Sequence, residues 1–231
     1  MSKRQHPSIR RLPQSPAEQD DAFVAGVLTF SEWSSQHRQA LTLLGITAVL
    51  LVTGGIYYLN FQRSLRIQAV NQLESIHQII SISAVEDAKT QLSSFLESFD
   101  GTDQAREAVI LLARLHLESD DAPVAISVLE RADLGLRDPI GIQANSLLAR
   151  AYEHQGRWPE AEDKFLEVAD RAEFDFQVRV ALESAARVRR RLLDYEGAAE
   201  LYERILATFE EDDPSKGLYE LRLAEVREVR L

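Results

Sequence analysis

The sequence predicts an all-α protein in which a single N-terminal transmembrane helix precedes a solenoid of α-hairpins, and a C-terminal helix caps the solenoid. Three observations support this fold class. One stretch of 24 residues has no charged side chain, an apolar pattern recurs every 36 or 37 residues after it, and the two-residue alternation typical of strands is missing.

Composition excludes several kinds of function. The chain has 231 residues, a formal net charge of −11 and no cysteine, so disulfides, thiolate metal sites and cysteine nucleophiles are excluded. Residues 61–231 carry 21 Lys+Arg against 33 Asp+Glu. Such an acidic domain repels phosphate backbones, so we expect no nucleic-acid partner.

Residues 39–62 are predicted to form a transmembrane anchor. They contain no charged residue and are rich in Leu, Ile and Val. A helix of this length spans roughly 36 Å, which is enough to cross the hydrocarbon core of a bilayer. Aromatic residues, which favour the headgroup zone, flank the stretch: Trp33, Tyr57, Tyr58 and Phe61.

The residues before the anchor divide into two segments. Residues 1–21 are predicted to be a disordered tail, because they combine three prolines with basic and polar residues and have few apolar side chains. Residues 22–38 form either a short helix at the membrane interface, with Phe23, Val27 and Phe30 on one side, or an irregular lead-in to the anchor.

Charges around the anchor leave its orientation open. The basic tail favours a cytoplasmic N-terminus. The nearest flanking charges favour the reverse, because Arg38 on one side faces Arg63 and Arg66 on the other.

A helical repeat organises residues 63–231. Its marker is an alanine that recurs after 37, 36 and 37 residues, at Ala88, Ala125, Ala161 and Ala198. Larger residues follow each alanine after four positions: Leu92, Leu129, Phe165 and Tyr202. Apolar residues follow again three positions later: Phe95, Ala132, Val168 and Ile205. The spacing i, i+4, i+7 lies on one helix face and predicts four equivalent helices.

Each of the last three of these helices has a partner before it. Small crossing residues recur there at 36 and 37 residues, in Leu112-Ala113, Leu148-Ala149 and Ala185-Ala186. The unit is therefore a helical hairpin whose alanines let the two backbones approach closely. Ile76 replaces the small residue in the first hairpin, which predicts a stalk that continues from the anchor into a degenerate repeat. A final helix with Tyr219, Leu223 and Val226 on one face would cap the solenoid.

The third hairpin resembles the signature of a tetratricopeptide repeat. The matching residues are Leu148-Ala149, Tyr152, Gly156-Arg157-Trp158-Pro159-Glu160-Ala161 and Phe165. The fourth hairpin matches more loosely through Asp194 to Ala198 and Tyr202, and Arg189 occupies the place of Tyr152. This replacement predicts that the first helix of the fourth hairpin is shifted or distorted. The resemblance implies a solenoid that binds other proteins.

The layout of residues 23–231 resembles the bacterial ancillary subunit of the SecYEG translocon, with an anchor opened by Phe30-Ser31-Glu32-Trp33, then a helical stalk and divergent repeats. The resemblance implies a single-pass protein of the bacterial inner membrane with a cytoplasmic N-terminus and a periplasmic C-terminal domain. It further implies a scaffold for secretion or chaperoning, whose partners are the translocon or periplasmic chaperones. An accessory or assembly subunit of another membrane complex would share every visible feature and remains the alternative.

Motifs that would indicate chemistry are missing from the sequence. No two of the five histidines have metal-ligand spacing, and His116 occupies the place of Tyr152, which predicts a packed histidine. Phosphate-binding glycine loops and serine nucleophile elbows are also missing. We therefore expect no enzymatic activity, metal, cofactor or small-molecule substrate.

One set of arginines is a candidate partner-binding site. Arg114, Arg150 and Arg187 each follow the small crossing residue of a first helix, a place that faces the inner groove in tetratricopeptide repeats. A stacked row of guanidinium groups would bind carboxylates of a partner, and Arg190 and Arg191 would extend the row. The alternative is pairing within each helix, for which the sequence offers Glu118 to Arg114 and Glu183 to Arg187.

Overall fold

The computed structural model describes residues 38–229, in which the regular structure is entirely helical. The helices are α1 Arg38–Ser81, α2 Val85–Ser98, α3 Asp103–Glu118, α4 Ala122–Ala132, α5 Pro139–His154, α6 Trp158–Arg171, α7 Asp175–Arg191, α8 Tyr195–Leu206 and α9 Lys216–Val229. The predicted tail, and the segment 22–38 except for the backbone of its last residue, lie outside the described residues.

The chain divides into two compact units between Gln62 and Arg63. In the first unit the described residues belong to α1, and their large apolar side chains are exposed. From Gln39 onward α1 is long and apolar enough to cross a membrane, and none of its most apolar 18-residue window is buried within the protein.

The second unit is a stack of helical hairpins, and the alanine register is confirmed. All four marker alanines are 0% exposed: Ala88, Ala125, Ala161 and Ala198. The crossing residues Ala113, Ala149, Ala185 and Ala186 are also fully buried. Since a larger side chain would separate the helices at these points, the small residues determine how closely the paired backbones pack.

Larger apolar residues one turn from each alanine fill the core. Leu92, Leu129, Phe165 and Tyr202 are at most 4% exposed. Phe95, Val168 and Ile205 are at most 1% exposed, whereas Ala132 is only partly buried. Ile76 is fully buried against α2 and α3, so the end of α1 packs as the first helix of a hairpin.

The hairpin turns repeat with the same period as the helices. Each has one residue with positive φ, at Ser83, Asp120, Gly156 and Leu193, with φ of 61°, 57°, 74° and 64°. Glycine adopts this left-handed conformation without strain, but a side chain with a Cβ atom is disfavoured there. Leu193 is also 71% exposed, so no packing compensates its unfavourable backbone.

Helix α9 has the predicted role of a cap. Its buried residues, Leu223 and Val226, continue the core formed by the hairpins before it. The hydroxyl of Tyr219 donates a 3.1 Å hydrogen bond to Glu183 on α7. Arg222 also pairs with Glu183, so polar contacts fix the cap beside the last complete hairpin.

The expected distortion of the fourth hairpin is wrong, because α7 is an uninterrupted helix with its crossing alanines buried. Arg189 stands at the position that Tyr152 holds in the third hairpin, and it pairs with acidic groups there. Its Nε lies 2.6 Å from a carboxylate oxygen of Glu162, and carboxylate oxygens of Asp194 and Glu200 lie within 3.8 Å of its guanidinium nitrogens. The long aliphatic part of arginine fills the space of the ring while its charged end reaches these carboxylates.

Candidate protein-binding surface

The five predicted arginines lie exposed on consecutive first helices. Arg114 is on α3, Arg150 on α5, and Arg187, Arg190 and Arg191 are on α7. Arg114, Arg150 and Arg187 directly follow the buried residues Ala113, Ala149 and Ala186. We use the term first-helix surface for the exposed side chains of α3, α5 and α7.

An ion pair between two first helices involves one of these arginines. Arg187 donates from Nε and Nη2 to the two carboxylate oxygens of Glu153 on α5, at 2.9 and 2.8 Å. These hydrogen bonds raise the pKa of Arg187. The pairing of Arg187 with Glu183 within α7 is not the arrangement found, because Glu183 instead pairs with Arg222 of the cap. Within residues 38–229, Arg114 and Arg150 form no ion pair.

Charge is distributed unequally between the two sides of the stack. The first helices α3, α5 and α7 contain 8 Lys and Arg against 6 Asp and Glu, a balance of +2. The second helices α4, α6 and α8 contain 4 against 9, a balance of −5. The first-helix surface is therefore the less acidic side of an acidic domain, which suits a negatively charged partner.

Three of the five arginines line one cleft, which contains about 360 Å³. It lies between the end of α7, the start of α8 and the end of α9. The lining residues are Arg187, Arg190, Arg191, Tyr195, Glu225, Val226 and Val229. Arg114 and Arg150 are not part of this cleft. Sequence reasoning placed Val226 on the core face of the capping helix but assigned neither it nor the three other residues to a site, because the repeat pattern does not indicate a cleft there.

Apolar side chains extend the exposed face of α7. Phe176 and Val180 precede Arg187 by 11 and 7 residues, so at 100° per residue all three lie within about 20° of one line along the helix. Phe176 is 58% and Val180 60% exposed, and the ring of Phe176 stacks on Phe174 at 5.8 Å. The helical spacing of Phe176 and Val180 from Arg187 could have predicted from the sequence that they lie on the same exposed face.

Packing between two neighbouring repeats changes the pKa of a tyrosine. The largest resolved change belongs to Tyr152, where burial and a hydrogen bond to Glu130 raise the pKa to about 12. His116 Nδ1 lies 3.1 Å from Asp121, so the packed histidine joins the end of α3 to the start of α4. In residues 38–229 no three His, Asp or Glu residues are grouped so that they could hold a metal ion.

Comparisons with known proteins identify the kind of repeat. A tetratricopeptide-repeat family model matches residues 145–176. Similar solved structures include a protein with nearly identical TPR-like repeats from Podosopora anserina, with 20% identity, a TM-score of 0.57, and coverage of 71% of this chain and 87% of that one.

A tetratricopeptide repeat protein from Parabacteroides merdae has 14% identity and a TM-score of 0.57, over 69% of this chain and 60% of its own. Pseudomonas aeruginosa pilF has 19% identity and a TM-score of 0.51, over 69% of each chain. No curated protein matches the chain. The described residues 63–229 thus form a helical domain with a TPR-like repeat fold, and repeats of this kind indicate a scaffold for protein–protein interaction.

Proposed function

We propose that the protein is a membrane-anchored scaffold that supports protein secretion or chaperoning at the translocon of the bacterial inner membrane. Residues 39–62 hold the chain in the bilayer with the N-terminus in the cytoplasm, and the repeat domain binds partner proteins in the periplasm. The observation that carries the binding role is the charge difference between the first-helix surface and the second helices.

Exposure of α1 supports the membrane anchor. Its apolar window is 0% buried, whereas the core helix of a soluble protein would bury such side chains against the rest of the fold. Leu51, for example, is 72% exposed and Tyr57 is 73% exposed. Lipid would cover these side chains and remove the cost of hydrating them.

The arginines support an acidic partner. Arg114 and Arg150 are exposed and free of ion pairs with residues 38–229, and they occupy the same helical place as Arg187. A partner carboxylate would accept paired hydrogen bonds from such a guanidinium group. The resemblance of the sequence layout to the translocon subunit family supports the translocon or periplasmic chaperones as partners.

Reporter fusions after Leu231 test the topology. Alkaline phosphatase, which is active only outside the cytoplasm, should be active there, and a fluorescent protein that matures only in the cytoplasm should be dark. The opposite pair of results would place the domain in the cytoplasm and overturn the secretion role.

Co-purification in mild detergent tests the binding surface. Replacing Arg114, Arg150 and Arg187 together by glutamine should sharply reduce recovery of the translocon or of periplasmic chaperones, and added salt should weaken the wild-type interaction. The matched control replaces one arginine in the last turn of each second helix: Arg131, Arg171 and Arg204.

This control is well matched because each triple substitution breaks one ion pair between repeats, Arg187–Glu153 in the test and Arg204–Asp170 in the control. Equal recovery with both triple variants, each shown to be folded, would exclude the first-helix surface as the binding site. Recovery of a different membrane complex would favour the alternative role of an accessory or assembly subunit.

A further inference from the structure

At the junction with the cap, two positions of the repeat hold smaller residues than at the junction before it. Between the third and fourth hairpins, Arg189 of α7 reaches Glu162 of α6 at 2.6 Å and fills the junction. Thirty-seven residues later the equivalent positions hold Val226 on α9 and Ala199 on α8. Neither side chain can bridge the junction, and the cleft of about 360 Å³ is found at this end of the stack.

Among residues 38–229, the charges that line the cleft leave one cation in excess. Arg187 is already paired with Glu153, and one carboxylate of these described residues, that of Glu225, lies in the lining. Arg191 lies over the ring of Trp158 at 5.9 Å, and Arg190 has neither an ion pair nor a hydrogen bond within residues 38–229. Two guanidinium groups therefore face one carboxylate, and one further carboxylate would balance them.

An apolar wall stands beside these charges. Val226 is 2% exposed, whereas Val229 is 63% exposed and Tyr195 is partly buried at the start of α8. Because Val229 is mostly in contact with solvent, an incoming aliphatic group would gain by burial there. The volume of the cleft falls within the range of ordinary ligand pockets.

We propose that this cleft anchors the partner protein by an acidic side chain with an aliphatic side chain directly beside it in the chain. The carboxylate lies between Arg190 and Arg191, and the aliphatic group lies on Val229 beside Tyr195. This inference rests on the proposed binding role of the first-helix surface, with which the cleft shares Arg187. A protein segment is favoured over a lipid headgroup because the cleft is continuous with that surface.

Photocrosslinking of the full-length protein in detergent tests the proposal even if affinity is weak. The probe is a Gly-Ser peptide with a central Glu followed by photoleucine. We expect saturable crosslinks to Tyr195 or Val229, identified by mass spectrometry. A matched peptide with Gln in place of Glu should crosslink about tenfold less, because a charge-assisted hydrogen bond is lost.

Two protein variants complete the test. Arg190→Gln should reduce crosslinking severalfold. Arg171→Gln, at another exposed arginine in the last turn of α6, should not reduce it. The double variant Val226→Arg with Ala199→Glu should fill the cleft as in the preceding junction and abolish crosslinking. If the double variant does not fold, the comparison of Arg190→Gln with Arg171→Gln still tests the proposal.

Three outcomes would overturn the proposal: equal crosslinking of the Glu and Gln peptides, crosslinks outside the cleft, or identical behaviour of Arg190→Gln and Arg171→Gln. If vesicles of anionic phospholipid remove the crosslinks of both peptides alike, the site binds lipid and the proposal is also wrong. Failure of the crosslinking test while the partner still co-purifies would leave the scaffold function standing. The expected crosslinks, together with co-purification that the triple arginine substitution does not reduce, would leave the cleft proposal standing and contradict the proposed binding surface.

Discussion

The guanidinium group of Arg187 binds both carboxylate oxygens of Glu153, which lies 34 residues earlier on the neighbouring first helix. This ion pair stands on the surface that we propose to bind acidic partners. Glu153 therefore competes with a partner's carboxylate for the same donors, and its own side chain is only 19% exposed.

Removing this competitor should strengthen partner binding. We expect Glu153→Gln to increase the affinity for the acidic partner by up to about fivefold, which corresponds to about 1 kcal/mol, the upper value for an exposed ion pair. Co-purification under increasing salt measures the effect. The control is Glu203→Gln, which breaks the ion pair with Arg227 away from the surface. Weaker binding in Glu153→Gln would show that Glu153 itself contacts the partner.

The Tyr152–Glu130 hydrogen bond predicts loss of stability at high pH. Tyr152 donates from its hydroxyl to Glu130 at 2.6 Å, and its pKa is raised to about 12. The stabilisation is fully present below the unfolded pKa of about 10 and is lost as pH rises towards 12, because the unfolded state then releases the proton first.

Tyr152→Phe should therefore lower the free energy of unfolding by about 1 kcal/mol at pH 8. Between pH 9 and 11 the wild type should lose about 1 kcal/mol more stability than the variant. Denaturant midpoints at the three pH values measure this. Parallel pH profiles for the two proteins would show that the hydroxyl does not couple to folding.

Leu193 should be a stabilising site for glycine. Its φ of 64° is strained, and Leu193→Gly should raise the free energy of unfolding by about 0.5 to 1 kcal/mol, the relief of strain less the entropy that glycine adds to the unfolded chain. The matched change is Gly156→Ala, at the equivalent turn of the preceding hairpin. This substitution should lower the free energy of unfolding by about 1 kcal/mol. If both substitutions destabilise, the exposed leucine makes a contact that outweighs its strain.

Ala161 tests the helix register. It is fully buried at a helix crossing, so Ala161→Leu should overpack the contact and cost about 1 to 3 kcal/mol. Ala224 on α9 is exposed, and Ala224→Leu should stay within about 0.5 kcal/mol of the wild type. Chemical denaturation compares them, and equal effects would contradict the crossing assigned to Ala161.

Removal of residues 1–62 should leave a soluble helical domain. The buried residues of the second unit form their core among themselves, and the division of the chain falls after Gln62. Circular dichroism of the shortened chain should show high helix content without detergent. An unfolded or detergent-dependent product would mean that the anchor contributes to the core.

The sequence by itself determined the helices, their pairing into hairpins and the register of the core. The reason is that close backbone approach demands a small residue at one place in every repeat, so Ala88, Ala125, Ala161 and Ala198 reveal the period directly. The exposed places of Arg114, Arg150 and Arg187 follow from the same register.

Only the tertiary structure decided which charged groups meet. Arg187 had an apparent partner four residues away in Glu183, but it pairs with Glu153, while Glu183 pairs with the cap. Likewise, the cleft follows from Val226 standing where Arg189 stands one repeat earlier, at a junction that exists only once the helices are stacked. Long flexible side chains can reach several neighbours. Which neighbour becomes the ion-pair partner depends on how the helices are placed relative to one another, and local sequence spacing does not specify that placement.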